Sequence, residues 1–315
     1  MKERLLWAGI LLILLSWIGN YSYFQSKQLE QPIFLDHFYE GFLGEERSFT
    51  FYYLTNKVDP AEVTHVQIDG AHMVNVIDDG QGFGFWQDSS VPSFVQEFRH
   101  YYLKSATLQF NKEFVQLNEL EPSLSFETME VFFNNQSSMI ADVGKVSLYQ
   151  DDMSLNVFDS RMSSGSNQHR SEEAMVTREP ITIEDVSIPF PEEIAGEVAV
   201  KVDLDQDRLK ELETVRHGGE IPAWFDENRD REWEEIPGVS IEENELFPVT
   251  LNTNEWMHLY MYFNPERTSY YEFGIHIKGQ TENGENFEQI APIIDHPYLE
   301  QQDIDQLIAE KEGGQ

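Results

Sequence analysis

The chain has 315 residues, and subtracting 21 Lys and Arg from 57 Asp and Glu leaves a formal net charge of −36. This charge excludes nucleic acid and anionic bilayer surfaces as partners, because binding to phosphate needs clustered basic side chains. The chain has no cysteine, which excludes disulfides, thiolate metal sites, cysteine nucleophiles and a lipidated cysteine. Its length and its 40% hydrophobic residues suffice for one or two folded domains.

The first 24 residues form an apolar segment with a short basic start. Lys2 and Arg4 precede positions 5–24, which carry no charge and as a helix would span about 30 Å, the hydrocarbon thickness of a bilayer. No pair of small residues with the spacing of a cleavage site occurs between Leu15 and Ser26. We therefore predict an uncleaved signal-anchor helix at 1–24, with a cleaved signal peptide and a buried helix of a soluble protein as the alternatives.

The charge pattern around this helix predicts the orientation of the chain in the cell membrane. Basic residues at the start and an acidic flank after the helix place the N-terminus inside and residues 25–315 outside. We expect about four residues on the inner side, too few for an output domain. The function is therefore expected in the extracytoplasmic part, and any inward signal would need a partner protein of the cell envelope.

Residues 30–159 are predicted to form a first β-rich domain, because apolar and polar residues alternate with a period of two. Turn residues separate these runs at roughly ten-residue spacing, which favours an antiparallel sandwich of the immunoglobulin kind, or a barrel. The predicted strands are 47–54, 63–68, 73–77, 100–110, 128–133, 140–149 and 155–158.

A polar, serine-rich stretch at 160–180 is predicted to be a linker or a long exposed loop. Alternation resumes in a second predicted β-rich domain at 181–296, and 297–315 is predicted to be a C-terminal helix and tail. The strands expected in the second domain are 181–188, 197–204, 246–251, 256–263, 270–278 and 287–294, with a short helix at 208–216. The sequence thus predicts a mainly β fold with one or two sandwich domains behind a transmembrane helix.

Asp203, Asp205 and Asp207 have the spacing that opens a calcium-binding loop. Such a loop needs glycine at its sixth position and a bidentate glutamate at its twelfth, where this chain has Arg208 and Thr214. The alternative is a strand end followed by a helix whose N-terminus favours acidic side chains. No cofactor is expected, and calcium at this site is the exception left open.

An acidic loop is predicted at 218–238, where carboxylates alternate with aromatic residues. Trp224, Asp226 and Trp233 are the ligand-binding candidates, because tryptophans beside carboxylates can stack on a sugar ring and hydrogen-bond its hydroxyls. The tryptophans could equally anchor a solvated loop to the core. A glycosidase would need two carboxylates facing each other across a cleft, with Asp226 or Glu232 as candidates.

No catalytic signature is present, since the chain lacks G-x-S-x-G and H-E-x-x-H motifs. The histidines His65, His72, His258 and His276 are predicted to lie on strand faces without a metal. The leading hypothesis is an anchored, outward-facing β-sandwich protein that acts by binding or as an accessory subunit of an envelope assembly. An extracytoplasmic carbohydrate hydrolase and a calcium-binding surface protein are the alternatives.

Overall fold

The structure, a computed structural model, describes residues 2–43, 47–68, 72–77, 93–110, 123–149, 156–166, 169–216, 219–229, 231–243 and 246–313. The side chain of His72 lies outside the described part of the chain. Strands dominate and their pairing is largely antiparallel, so the predicted mainly β class with an N-terminal apolar helix is confirmed.

The N-terminal helix α1 spans Lys2–Gln25. Its segment Trp7–Gln25 has the length and composition needed to cross a membrane, and none of that segment is buried against the rest of the chain. The chain that follows the helix is fixed to the first β-rich half. Asn56 exchanges two hydrogen bonds with the backbone of Leu29, at 2.9 and 2.8 Å, and the Tyr101 hydroxyl donates to the Lys27 carbonyl at 2.7 Å.

The described residues before position 150 form nine strands. They are β1 (Ile33–Phe34), β2 (His37–Phe42), β3 (Arg47–Asn56), β4 (Val63–Ile68), β5 (His72–Ile77), β6 (Gln96–Glu97), β7 (Tyr101–Phe110), β8 (Ser123–Phe133) and β9 (Ser138–Tyr149). Inward-facing aromatic and aliphatic side chains, among them Phe49, Phe51 and Leu108, form the first hydrophobic core. The long runs of alternation in β3, β7, β8 and β9 explain why the sequence predicts these strands.

In the second half, the part of the chain that the structure describes contains nine more strands. They are β10 (Phe158–Ser166), β11 (Arg170–Thr177), β12 (Ile181–Ser187), β13 (Val198–Asp203), β14 (Val239–Ser240), β15 (Val249–Leu251), β16 (Trp256–Phe263), β17 (Tyr270–Thr281) and β18 (Asn286–Asp295). Strands β10, β11, β16, β13 and β14 form a five-stranded sheet in that order. This sheet packs on β12, β17 and β18 through a second core that includes Leu259, Phe263, Ile275 and Ile277, which is the arrangement of a β-sandwich.

Strand β2 joins the two halves into one continuous sheet. It pairs in parallel with β9 on one side and with β17 on the other, whereas the other described pairings are antiparallel. The order of the large sheet is β1-β3-β7-β5-β4-β8-β9-β2-β17-β12-β15, with β18 beside β17 and β6 beside β7. Phe38 on β2 contributes to the second core and Tyr39 to the first.

The predicted linker at 160–180 is wrong as a description of local structure. Most of it lies in β10 and β11, which form an antiparallel hairpin, and β11 pairs along its whole length with β16. Ala174, Met175 and Val176 are buried because neighbouring elements cover both faces of β11. The division of the chain at 160–180 into two separate domains remains a prediction, but this segment belongs to the second sheet.

Short helices cover the outer face of the five-stranded sheet. They are α2 (Gln206–Leu209), a 3₁₀ turn at Lys210–Leu212, α3 (Glu213–Arg216), α4 (Ala223–Arg229) and a 3₁₀ turn at Trp233–Glu235. The expected helix at 208–216 is therefore three short pieces, and the acidic loop 218–238 contains a helix. The C-terminal helix α5 (Gln301–Gly313) returns to the first core through Ile304 and Leu307, and Leu299, just before the helix, packs in the same core.

Candidate functional site

The candidate site lies on the outer face of the five-stranded sheet. Along β16, Met257, Leu259, Met261 and Phe263 belong to the inner core. The alternate residues of β16 therefore face outward, and they are Trp256, His258, Tyr260 and Tyr262. The strand register places Glu172 of β11 and Lys201 of β13 on either side of Tyr260, and Ala174 and Asp203 on either side of His258.

The helical cover is held on this face by a small third core. Leu209, Leu212 and Phe225 pack against Ala174, Val176 and Trp256. Trp224 is part of this attachment, because its indole N–H donates to Glu211 Oε2 at 3.0 Å and the Arg208 guanidinium lies 5.1 Å from its ring centre. Trp224 therefore fits the predicted anchor role better than a role in stacking on a ligand.

Between the cover and the sheet lies a cavity of about 180 Å³. It is partly open, and its lining comes from β10, β11, β16, α4 and the connection that follows α4. The lining residues are Ser164, Gly165, Arg170, Ser171, Glu172, Asn228, Trp233, Ile236, Tyr260 and Met261. Trp233, a sequence-predicted ligand-binding candidate, is thus at the cavity, whereas Trp224 and Asp226 are not among its lining residues.

A buried carboxylate, that of Glu172, belongs to the cavity wall. Glu172 is 9% exposed, accepts a hydrogen bond from the Ser164 hydroxyl at 2.8 Å, and its Oε2 lies 3.3 Å from Nε2 of His258. His258 is 0% exposed, and neither of its ring nitrogens makes a hydrogen bond with a described residue. Buried polar groups are normally satisfied, so Glu172 and His258 together mark an unusual site in the sheet.

The aromatic wall of the cavity is fixed by hydrogen bonds and ring contacts. The Tyr260 hydroxyl accepts from the Asn228 side-chain amide at 3.1 Å, and burial raises the pKa of Tyr260 well above its usual range, so the hydroxyl stays neutral. Trp233 stacks on Tyr262 with ring centres 5.6 Å apart, and the Lys201 ammonium lies 4.9 Å from the indole centre. Lys201 also donates to the Trp233 carbonyl at 2.8 Å. These contacts hold the aromatic side chains of the cavity wall in place without a ligand.

Two of the three aspartates of the predicted calcium loop, Asp203 and Asp205, have local structural partners. Asp203 pairs with Arg208 and accepts from the Asp205 backbone N–H at 3.0 Å, and the Asp205 side chain caps α2 by accepting from the Arg208 backbone N–H. Asp207 lies in the first turn of α2. Within the described ranges, no group of three or more His, Asp or Glu side chains has the arrangement of metal ligands. The geometry thus matches the alternative of a strand end followed by a capped helix.

A second buried polar cluster lies where β2 meets β17. Glu40 of β2 and Glu288 of β18 both contact His276 of β17, and Arg47 pairs with Glu272 at 2.6 Å beside them. The sequence places His276 on a strand but gives no partner for it. A single glutamate between Phe38 and Phe42 is the signal that could have identified Glu40, since a charge in an apolar run needs a partner when it is buried.

Sequence reasoning also missed most of the cavity residues. Glu172 falls in the predicted linker, and Asn228 and Tyr260 lie on elements far apart in the chain. The short apolar run Ala174, Met175 and Val176 was the available signal for a strand at this point. The acids proposed for hydrolysis, Asp226 and Glu232, are both exposed, and neither lines the cavity.

The fold and the site together define a mainly β chain with an N-terminal apolar helix and a covered sheet face. No protein-family model matches the chain, and no curated protein matches it. Among solved structures, it is similar to the YadV chaperone, with 8% identity and a TM-score of 0.23 over 83% of this chain and 99% of that one. It is also similar to the structure of Dpr11 IG1 bound to DIP-gamma IG+IG2, with 9% identity and a TM-score of 0.17 over 84% and 99% of the two chains. Likeness at this level says nothing about function.

Proposed function

We propose that this protein is a single-pass membrane protein whose extracytoplasmic β-sandwich half binds a small polar ligand in the cavity on the outer face of the five-stranded sheet. The observation that carries the proposal is the buried Glu172 carboxylate facing a cavity walled by Trp233 and Tyr260. Ligand sites typically combine a pre-formed aromatic wall with a few convergent polar groups.

The membrane part of the proposal is supported by the exposed apolar surface of α1. A helix with this composition and none of its surface buried by the rest of the chain is unfavourable in water, because apolar area costs about 25 cal/mol per Å² when exposed. The hydrogen bonds from Asn56 and Tyr101 to the segment after α1 hold the β-rich part next to the helix end. In this arrangement the cavity faces the exterior, and a ligand-loaded sandwich could act on a protein partner of the envelope.

Binding is preferred to hydrolysis because of where the carboxylates lie. Asp226 and Glu232 are on the exposed surface, and Glu172 is the one carboxylate among the described residues that line the cavity. A glycosidase needs two carboxylates on opposite sides of the scissile bond. The cavity volume of about 180 Å³ suits a single small molecule rather than a polymer chain.

The test uses the full-length protein in detergent micelles, screened with monosaccharides, free amino acids and small amines. Ligand binding should raise the melting temperature and change the tryptophan fluorescence, because Trp233 lines the cavity. Glu172→Gln should weaken binding of a hit about tenfold or more, as expected for loss of a charged hydrogen-bond partner.

Glu232→Gln is the matched control, since it removes one carboxylate from the same face at an exposed position. It should bind like the wild type. Equal affinity of the two variants would overturn the assignment of the site, and a folded protein that responds to no compound in the screen would count against small-ligand binding.

A further inference from the structure

The junction between the two halves contains a histidine held between two carboxylates. His276 of β17 has Nε2 at 2.9 and 3.0 Å from the carboxylate oxygens of Glu40, and Nδ1 at 2.6 Å from Oε1 of Glu288. Glu40 is on β2 and is 5% exposed, whereas Glu288 is on β18 at the opposite side of β17. The imidazole thus bridges three strands.

The protonation state of His276 follows from this geometry. Carboxylates are acceptors only, and a neutral imidazole carries one N–H, so it can donate to one of the two neighbours but not to both. Only the imidazolium ion, with a proton on each nitrogen, satisfies both contacts. If the ring were neutral, a nitrogen lone pair would face one of the carboxylates at hydrogen-bond distance, and the two acceptors would repel each other.

The charged groups around His276 are divided between the two carboxylates. Lys278 of β17 lies 3.2 Å from Glu288, and the Gly274 backbone N–H donates to Glu40 at 3.3 Å. The Tyr149 hydroxyl of β9 interacts with Glu40, and Arg47 of β3 is paired with Glu272. None of these contacts replaces the second N–H of His276. A cavity of about 260 Å³ that includes Glu40, Arg47 and Glu272 in its lining brings solvent to the junction.

The electrostatics agree with the geometry. Burial on its own lowers the pKa of His276, but the hydrogen bonds and charges of Glu40 and Glu288 outweigh burial and raise that pKa above its usual 6.5. Burial raises the pKa of Glu288 in isolation, yet the contacts with His276 and Lys278 leave it below its ordinary value. Each partner therefore favours the charged form of the other.

We propose that His276 is a proton-controlled latch that ties β2 to β17 and β18, closed as the imidazolium and weakened when the ring loses a proton. The latch joins the half that carries α1 to the half that carries the ligand cavity. Protons on the outer side of the membrane would then set how rigidly the cavity is held relative to the anchor. This inference does not depend on the identity of any ligand.

The direction of the pH effect follows from linkage. The folded state holds the His276 proton more tightly than the unfolded chain does. The stabilisation of the folded state by the protonated His276 is therefore fully present below pH 6.5, the ordinary histidine pKa. The contribution is lost as the pH rises through the higher pKa of the folded state. Alkaline conditions should therefore loosen the junction, and mild acid should tighten it.

Hydrogen exchange on the full-length protein in micelles tests the latch, with rates corrected for the intrinsic effect of pH. Between about pH 6 and about pH 9, protection of the β2 amides and of Gly274 from exchange should fall about tenfold. Protection of the amides that pair β3 with β7 should not show this fall. Direct observation of the His276 ring by NMR should show mainly the imidazolium at pH 6.5. A neutral ring there, or equal corrected protection at both pH values, would overturn the proposal.

Two variants separate a latch from a merely structural histidine. In Glu288→Gln the side-chain amide can donate to a neutral ring, so His276 can keep its N–H for Glu40, and protection of β2 should become independent of pH without being lost. His65→Gln, at a histidine of β4 stacked on Phe132 with ring centres 4.4 Å apart, should retain the wild-type pH dependence. Persistence of that dependence in Glu288→Gln would contradict the mechanism.

Discussion

Individual histidines in this chain have opposite electrostatic roles, which their sequence positions do not reveal. His276 is held charged between two carboxylates, whereas His37 is held neutral in the first core. His37 Nδ1–H donates to the Val143 carbonyl at 3.2 Å, and its Nε2 accepts from the Tyr52 backbone N–H at 2.8 Å. Burial lowers the pKa of His37 to about 3. A histidine on a strand can therefore be assigned a charge state only once its neighbours are known.

His37 leads to a prediction about acid stability. The unfolded chain binds a proton at this residue below pH 6.5 while the folded chain does not, so falling pH favours unfolding, by up to about 1.4 kcal/mol per pH unit. We expect His37→Gln to reduce the acid-induced fall in the free energy of unfolding between about pH 6 and about pH 4.5, measured by urea titration. His65→Gln should leave that fall unchanged. An equal slope for the wild type and both variants would show that His37 does not titrate as expected.

At the scale of residues in the site, the sequence predicted Trp233 but not its neighbours. Trp233 was a candidate, with Trp224 and Asp226, because carboxylates and aromatic residues alternate in the loop 218–238. Glu172, Asn228 and Tyr260 come from three other parts of the chain, and only the pairing of β11 with β16 and the folding of α4 over them bring the four together. Composition and spacing contain no information about such non-local contacts.

At the scale of elements, strands whose sequence alternates between apolar and polar residues were predictable, whereas β2 and β11, which are buried on both faces, were not. The alternation in β3, β4 and β8 marks them clearly in the sequence. Strand β2 was missed because five of its six residues are buried, so it shows no alternation, and its parallel pairing with β9 and β17 is distant in sequence. The β10–β11 hairpin was missed because its serine-rich part is polar, and burial of β11 is supplied by β16 and the helical cover.

The contact between β2 and β9 leads to a prediction at this scale. Gly144 has φ = +86°, and a Cβ atom added there would lie 2.5 Å from the backbone N and O of His37. Gly144→Ala should therefore destabilise the protein by about 2 kcal/mol or more, because the backbone conformation is strained and β2 must move away. Urea unfolding followed by tryptophan fluorescence would measure the change.

Gly165→Ala is the matched control for this substitution, because no atom lies within 4 Å of the added Cβ. It should change the free energy of unfolding by much less than Gly144→Ala does. If the two variants were equally stable, the close approach of β2 to β9 would not be the constraint described here.

At the scale of the whole molecule, the structure shows where the residues behind the net charge of −36 lie. Many of the Lys and Arg side chains form ion pairs within the β-rich part, such as Arg47–Glu272 and Lys104–Glu62. Acidic side chains such as Asp226, Glu232 and Glu234 lie exposed on its surface. This distribution favours solubility and repels anionic surfaces. It is consistent with a β-rich part that faces an exterior medium.

The orientation of the chain is the central claim on which ligand access and the pH latch both depend. Because the chain has no cysteine, a single engineered cysteine gives a unique label. Glu234→Cys places that label at an exposed position beside the cavity wall, and Glu3→Cys places it before the apolar segment while Lys2 and Arg4 are kept. A membrane-impermeant maleimide applied to intact cells should label Glu234→Cys at once and label Glu3→Cys only after permeabilisation. Labelling of Glu234→Cys only after permeabilisation would contradict the account.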